Sequence, residues 1–279
     1  MSTFAIEYNG LTINETSGYI IHEVSGADDL PIRTSQFNLT GADGGVVDAQ
    51  KYGMRLIGIR GRLYGDDVAD YFTKKADILQ AFDINATDKT LTITNWNGTS
   101  RQITAYVLQQ PRMVLQTGEV TFVDFDILMM ASDPFWRSTT ATEYTINLGE
   151  GGGTPVSSPV PSPVGSGTSD KVTVSNSGDV AIYADYEITG ACVNPTITNT
   201  TTGESFQITG TFVGSDVLSI TWTQAGLSVL KNGSNYMQYF TGTFFKLAVG
   251  NNMVRFTSST YYSGTSCTIS IYNKYFTIE

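Results

Sequence analysis

One run, GEGGGTPVSSPVPSPVGSG from Gly149 to Gly167, constrains this chain more than any other feature. Residues 149–169 are Gly, Pro, Ser, Thr and Val with a single Glu. Such a composition buries too little apolar surface to form a core. Prolines spaced two residues apart favour an extended, polyproline-like path that is stiffer than a Gly/Ser tether. The chain is therefore read as two domains, which suits a length of 279 residues. The expected boundaries are a first domain over 1–138, a Gly/Pro/Ser-rich linker over 139–170 and a second domain over 171–279.

Both domains read as mainly β. In the first, FAIEY (4–8), LTIN (11–14) and GYIIHEV (18–24) are short strand candidates separated by turn residues. Residues 38–53, with two adjacent glycines, read as a long polar loop. In MRLIGIRGRLYG (54–65) Leu56, Gly58, Arg60 and Arg62 alternate with Ile57, Ile59, Gly61 and Leu63, as in a half-buried strand. GEVTFVDFDILMMA (118–131) alternates likewise and sets Asp124 and Asp126 opposite a strictly apolar face. From Lys171 onward, short strands recur at the spacing expected of a sandwich, with Gly and Asn at nearly every break.

One helix is predicted, over 66–83. Val68, Tyr71, Phe72, Leu79 and Phe82 recur at helical spacing, with Asp66 or Asp67 as cap and Asp70 near the positive dipole end. This acidic group lacks the ligand spacing of a calcium loop, so it reads as capping plus a solvated face.

The totals exclude several functions. Net charge is -10, with 11 basic and 19 acidic side chains in residues 1–150, and no Lys/Arg cluster is available to grip phosphates. Nucleic-acid binding is therefore not expected. No apolar run is long enough to span a membrane as a helix. The start, MSTFAIEYNGLTINE, lacks a basic region followed by an apolar core, so folding in a cytoplasm is expected. Cys192 and Cys267 read as buried apolar thiols, and no Cys/His cluster suggests a metal. The single histidine, His22, lies in an apolar strand and reads as structural. There is no nucleophile elbow, no Walker loop and no dinucleotide fingerprint. The Asp124/Asp126 pair has no evident partner for acid/base work. No catalytic, cofactor or metal residues are assigned, and the chain is expected not to be an enzyme. Sugar stacking is the one small-ligand reading that the composition allows, with Trp222, Tyr236, Tyr239, Tyr261 and Tyr262 as candidate platforms.

Three stretches carry a family likeness: the first strands with the DGG loop and RLIGIRG; the strand ending in ASDPFW; and YEITGACVNPTITNTTTGESFQITG followed by FFKLAVGNNMVRF. In the last, Ile188, Gly190, Asn194, Pro195, Ile197, Asn199, Thr202, Gly203, Glu204, Leu247, Gly250 and Asn252 fall in the family order. The chain resembles the distal tail (Dit) proteins of long-tailed, non-contractile phages of Gram-positive hosts. The resemblance implies an N-terminal β-structured ring-forming (belt) domain with one helix and a C-terminal galectin-like β-sandwich. It implies a homohexameric ring joining the tail tube to the tail-tip protein and docking receptor-binding or baseplate proteins. The virion's distal tail would be its location, after assembly in the host cytoplasm.

On that reading SDPFWRS ends the last strand of the ring domain. Pro134, Phe135 and Trp136 would anchor the domain junction, buried against the base of the second domain or a neighbour. Asp43, Asp48, Asp66, Asp67 and Asp70 are the acids expected to face a channel through which DNA passes without sticking. The alternative is a carbohydrate-binding adhesion module recognising host cell-wall saccharide.

Overall fold

In the computed structural model, residues 4–41, 43, 45–114, 121–148, 170–262 and 264–279 are described. The predicted linker core at 149–169 lies outside them, as does Val120 of the strand read over 118–131. The chain divides into two compact units. Unit 1 comprises Met1–Thr139 with Tyr275–Glu279, and unit 2 comprises Thr140–Lys274.

Unit 1 contains strands β1 (Ala5–Tyr8), β2 (Leu11–Ile13), β3 (Tyr19–Ser25), β4 (Ile32–Asn38), β5 (Gly45–Tyr52) and β6 (Arg55–Tyr64). Helix α1 (Val68–Ala81) follows, then β7 (Thr90–Thr94), β8 (Ser100–Thr104), β9 (Tyr106–Met113), β10 (Phe122–Ala131) and β11 (Trp136–Ser138). One sheet has the order β2-β1-β7-β8-β11, extended by a last short strand at Lys274–Tyr275. The other has the order β3-β6-β10-β9. Every second residue of β6 and β10 points inward, which the period of two in their sequences demands. Ile57, Ile59, Leu63, Val123, Phe125, Ile127 and Met129 thereby join Ile6, Tyr8, Leu91 and Ile93 in one core.

Asp67 caps α1 by accepting from the Asp70 amide at 2.8 Å. The helix buries Tyr71, Ile78 and Ala81, and Phe82 at its end is also buried. Val68 and Phe72, expected on the packed face, are instead 46% and 58% exposed. Helical spacing identifies a stripe but does not say how much of it a neighbouring layer covers.

Three further expectations are corrected. Residues 38–53 are not a loop: β5 pairs with β4 as an isolated two-stranded hairpin in which every strand residue is exposed. With neither face buried, nothing imposes the alternation by which a strand is recognised. The expected linker over 139–170 starts too early, because Thr142–Leu148 is a strand paired with Thr265–Ile271; the second unit also ends before 279, since Tyr275–Glu279 belong to unit 1. Finally, SDPFWRS does not end the last strand of unit 1. Pro134 interrupts the ladder, and Trp136–Ser138 then pairs with β8 in the other sheet.

The place of Trp136 follows from Arg55. This guanidinium is fully buried and donates only to backbone carbonyls. It reaches Pro134 at 2.6 Å, Gly26 at 2.9 Å and Phe276 at 2.7 Å, and it also bonds Ala27. The Trp136 indole N–H donates to the same Ala27 oxygen at 2.7 Å, and Arg55 lies 5.7 Å from the Trp136 ring centroid. Trp136 is thus in the core of unit 1 itself; the expected burial against the second domain or a neighbour gives way to an internal anchor. Burial lowers the Arg55 pKa, and the charges of Asp28 and Asp29 oppose that shift. Gly26 has φ +75°, and a Cβ there would collide with the Leu56 carbonyl oxygen.

Unit 2 is a sandwich. Its strands are β12 (Thr142–Leu148), β13 (Lys171–Asn176), β14 (Asp185–Thr189), β15 (Cys192–Val193), β16 (Thr196–Asn199), β17 (Ser205–Ile208), β18 (Thr211–Phe212) and β19 (Val217–Thr223). They continue as β20 (Gly226–Lys231), β21 (Ser234–Asn235), β22 (Phe240–Gly242), β23 (Gly250–Thr257), β24 (Thr260–Tyr261) and β25 (Thr265–Ile271). The large sheets have the orders β12-β25-β14-β19-β20-β21 and β13-β23-β16-β17-β22, with a small sheet β18-β15-β24. Their core includes Tyr186, Ile188, Phe206, Ile220, Val254, Phe256 and both free cysteines. Burial pushes the Cys192 thiol up to about 11 and raises that of Cys267 as well.

Asparagines make the turns of this unit. Asn252, fully buried, accepts from the Ala248 amide at 3.0 Å and donates to the carbonyls of Ala248 and Gly250 at 2.8 and 3.1 Å. Asn194, at φ +50°, accepts from the Gly210 amide at 2.9 Å. Asp216 locks the start of β19. It accepts from Val213 N–H at 2.9 Å and Asn232 Nδ2 at 2.8 Å, and it pairs with Lys231 at 2.9 Å. These contacts, led by the Val213 amide, hold its carboxyl down at about 2.

Two tests follow. Arg55→Met orphans the carbonyls of Pro134, Gly26 and Phe276 and should cost about 3–5 kcal/mol; Trp136→Ala should cost a similar ~3–5 kcal/mol. Because each single change leaves Ala27 one donor and only the double change leaves it none, the double mutant should lose more than the sum, read from urea denaturation. A midpoint unmoved by either change refutes the anchor. Asp216 has a folded pKa below its unfolded value of about 3.9, so its contribution is present above that value. It is lost as pH falls from about 4 towards 2. Asp216→Asn should remove that part of the acid dependence of unit 2 unfolding; an identical pH profile would refute it.

Candidate functional site

A groove of about 430 Å³ in unit 1 lies on the exposed face of the β3-β6-β10-β9 sheet. Strand register builds it: Asp124 stands opposite Arg62 and Asp126 opposite Arg60 on β6, with Arg112 opposite Asp126 on β9. Arg62 holds Asp124 through two contacts, 2.5 and 3.1 Å long. Arg60 lies 3.6 Å from Asp126 and 3.4 Å from Glu23. His22 sits at the bulge between Ile21 and Glu23, exposed rather than packed in an apolar strand.

The Arg62 hydrogen bond depresses the Asp124 pKa, and the same contact raises that of Arg62. Asp124 and Asp126, expected to lack partners, are therefore each committed to an arginine. The lowered Asp124 pKa is the opposite of what a general acid needs. The three arginines balance Glu23, Asp124 and Asp126, so the band offers no net charge to an ionic ligand. Asp43 and Asp48 lie exposed on the β4–β5 hairpin and the turn between its strands, and Asp66 is exposed ahead of α1. Asp67 is the helix cap, and Asp70 accepts from the Asp66 amide and pairs with Lys74 at 2.7 Å.

In unit 2 the five candidate aromatics do not form one platform. Trp222 stacks on Tyr183 at 4.3 Å and is parallel to Phe244. Tyr236 packs on Tyr239 at 4.1 Å and against Phe212. Tyr261 and Tyr262 are exposed beside β24. A feature that sequence reasoning missed is a shallow groove of about 280 Å³ on the outer face of the β12-β25-β14-β19 sheet. Glu143, Asp185 and Glu187 line it with Ser219, Thr221 and Ser270. Register sets Glu143 and Asp185 on either side of Ser270. Burial raises the Asp185 pKa, opposed by a hydrogen bond from the Trp222 amide. Alternation in each strand places these residues outward, but nothing in one strand says which others adjoin it. Among the described residues, no group of acids, cysteines and histidine has the makings of a metal site.

With side-chain exposures of 31% and 45% for Arg62 and Asp124, water screens the pair strongly. Asp124→Asn should therefore cost less than about 1 kcal/mol in thermal or urea unfolding. A loss several times larger would mean that this face is structural, not a surface kept for contact.

Comparison with known proteins gives the site its setting. The model of the siphovirus-type tail component C-terminal domain (SPP1_Dit) matches residues 177–275. The Dit protein of phage SPP1, described as a paradigm of the hub adsorption apparatus in phages infecting Gram-positive hosts, superposes with a TM-score of 0.66 at 14% identity. The match covers 98% of this chain and 99% of that one. A chain of the phage p2 baseplate in its calcium-activated conformation matches at TM-score 0.52 and 12% identity, over 97% and 98% of the two chains. Its strontium counterpart matches at 0.52 and 11%, over 96% and 97%. No curated protein matches by sequence. The fold is therefore the mainly β Dit fold, with unit 2 as its galectin-like sandwich.

Proposed function

We propose a function for a chain that is, by its second unit, a siphovirus-type tail component of the Dit family: the distal tail hub of a phage. Copies form a hexameric ring that joins the tail tube to the tail-tip or baseplate proteins. Unit 2 stands as the dock for receptor-binding proteins. The observation that carries this is the superposition along nearly the whole of both chains with SPP1 Dit. The sites agree with it: carboxylates paired with arginines and exposed sheet faces suit an assembly part. The virion's distal tail is its place, after assembly in the host cytoplasm.

The acidic balance fits a channel that DNA crosses without sticking, since carboxylates repel phosphate and remove the counterion-release gain. Of the five acids, Asp67 and Asp70 have local duties. Asp43 and Asp48 have exposure without such a reason and are the first choices for the wall. A second reading, host saccharide binding, is favoured by the unit 2 groove. Its carboxylates and hydroxyls are hydrogen-bonding groups for sugar hydroxyls.

Light scattering and negative-stain images of one purified fraction test the hub. A species of about six times 30.2 kDa with a central hole is expected. A fraction that stays monomeric when tube and tip partners are supplied as templates would refute the ring.

A further inference from the structure

The β4–β5 hairpin (residues 32–52) has no layer to rest on, and a two-stranded hairpin alone is marginally stable in water. Its strands pair only with each other. Yet it exposes Ile32 (63%), Phe37 (56%) and Val47 (56%). Register puts Arg33 directly opposite Lys51 and Phe37 opposite Val46. Alternation along β4 places Arg33 and Phe37 on one face. Like charges directly opposite destabilise a ladder, and among the described residues neither cation pairs with a carboxylate. One face of the hairpin thus combines two uncompensated cations with two exposed apolar side chains.

The reciprocal surface is on α1. Val68 and Phe72, four residues apart, lie on one helix face and are exposed, though their spacing is that of a packed stripe. Asp66 and Asp67 stand at the N-terminal end of the same element, also exposed. That surface pairs two apolar groups with two carboxylates, the complement of the hairpin face in both respects.

We propose that the hairpin of one copy docks on α1 of a second copy, with Phe37 and Val46 against Val68 and Phe72, and Arg33 and Lys51 toward Asp66 and Asp67. This rests on the ring reading above and deepens it. A contact between two different surfaces of the same chain is heterologous, and repetition of such a contact closes a ring when the rotation between copies closes.

Mixed single-cysteine proteins test the contact. A tagged Phe37→Cys chain and an untagged Phe72→Cys chain are combined and mildly oxidised; the native Cys192 and Cys267 are buried. The disulfide-linked heterodimer should exceed either homodimer by about fivefold or more. Arg33→Glu with Lys51→Glu on the tagged chain should lower its yield by about tenfold. Both positions are exposed, and circular dichroism checks that the fold is kept. Equal homodimer and heterodimer yields, or a yield unchanged by charge reversal, overturn the contact. The wild-type mass separates the two ideas. An oligomer without heterodimer ends the hairpin contact and leaves the ring standing. A monomer without heterodimer ends the contact and removes the ring's support in solution.

Discussion

A charged side chain sealed in a core must have each of its polar atoms hydrogen-bonded, because its desolvation is otherwise too costly to sustain. Arg55 meets that requirement with carbonyls drawn from three distant parts of unit 1: Gly26 and Ala27, Pro134, and Phe276. No carboxylate bonds it directly; Asp28 and Asp29 act through charge alone. Those bonds fix where β10 ends, where Trp136 enters the core and how the last residues return to unit 1. Around them Tyr52, Phe135 and Phe276 meet ring to ring at 5.3 to 6.2 Å. The abrupt Asp-Pro-Phe-Trp exit of β10 is thereby explained within one unit.

The remaining polar chemistry lies on surfaces. In unit 1 the arginine–carboxylate band occupies one sheet face, where each carboxylate is already engaged. The hairpin and the outer side of α1 expose what soluble chains ordinarily cover. In unit 2 the groove on the polar sheet face is lined by carboxylates and hydroxyls. Surfaces of this kind fit the proposed role, in which other chains of a tail hub would complete them.

The likeness that first marked the family proves to be structural in content. Asn194, Asn199, Gly203, Gly250 and Asn252 make or cap turns of unit 2 through their side chains or positive φ angles. Few side chains serve at such positions. They report a fold, and that is why short, common motifs in a given order could identify one when catalytic motifs were absent.

From sequence alone, the alternation in β6 and β10, the cap at Asp67 and the turn residues of unit 2 determined the strands, the helix and the all-β second unit. Each is a local property, read within one segment. The Arg60 and Arg62 stripe and the Asp124 and Asp126 stripe were equally legible, but their pairing was not, since register is a relation between strands far apart in the chain. Arg55 looked like any strand residue; only the meeting of three segments made it a buried hub. The β4–β5 hairpin left no trace of period two, because no layer covers either face. Which side of α1 is buried was likewise decided by packing, leaving Val68 and Phe72 outside. Local periodicity determines what elements exist, while the tertiary structure alone decides which of their surfaces are spent on the core and which remain for a partner.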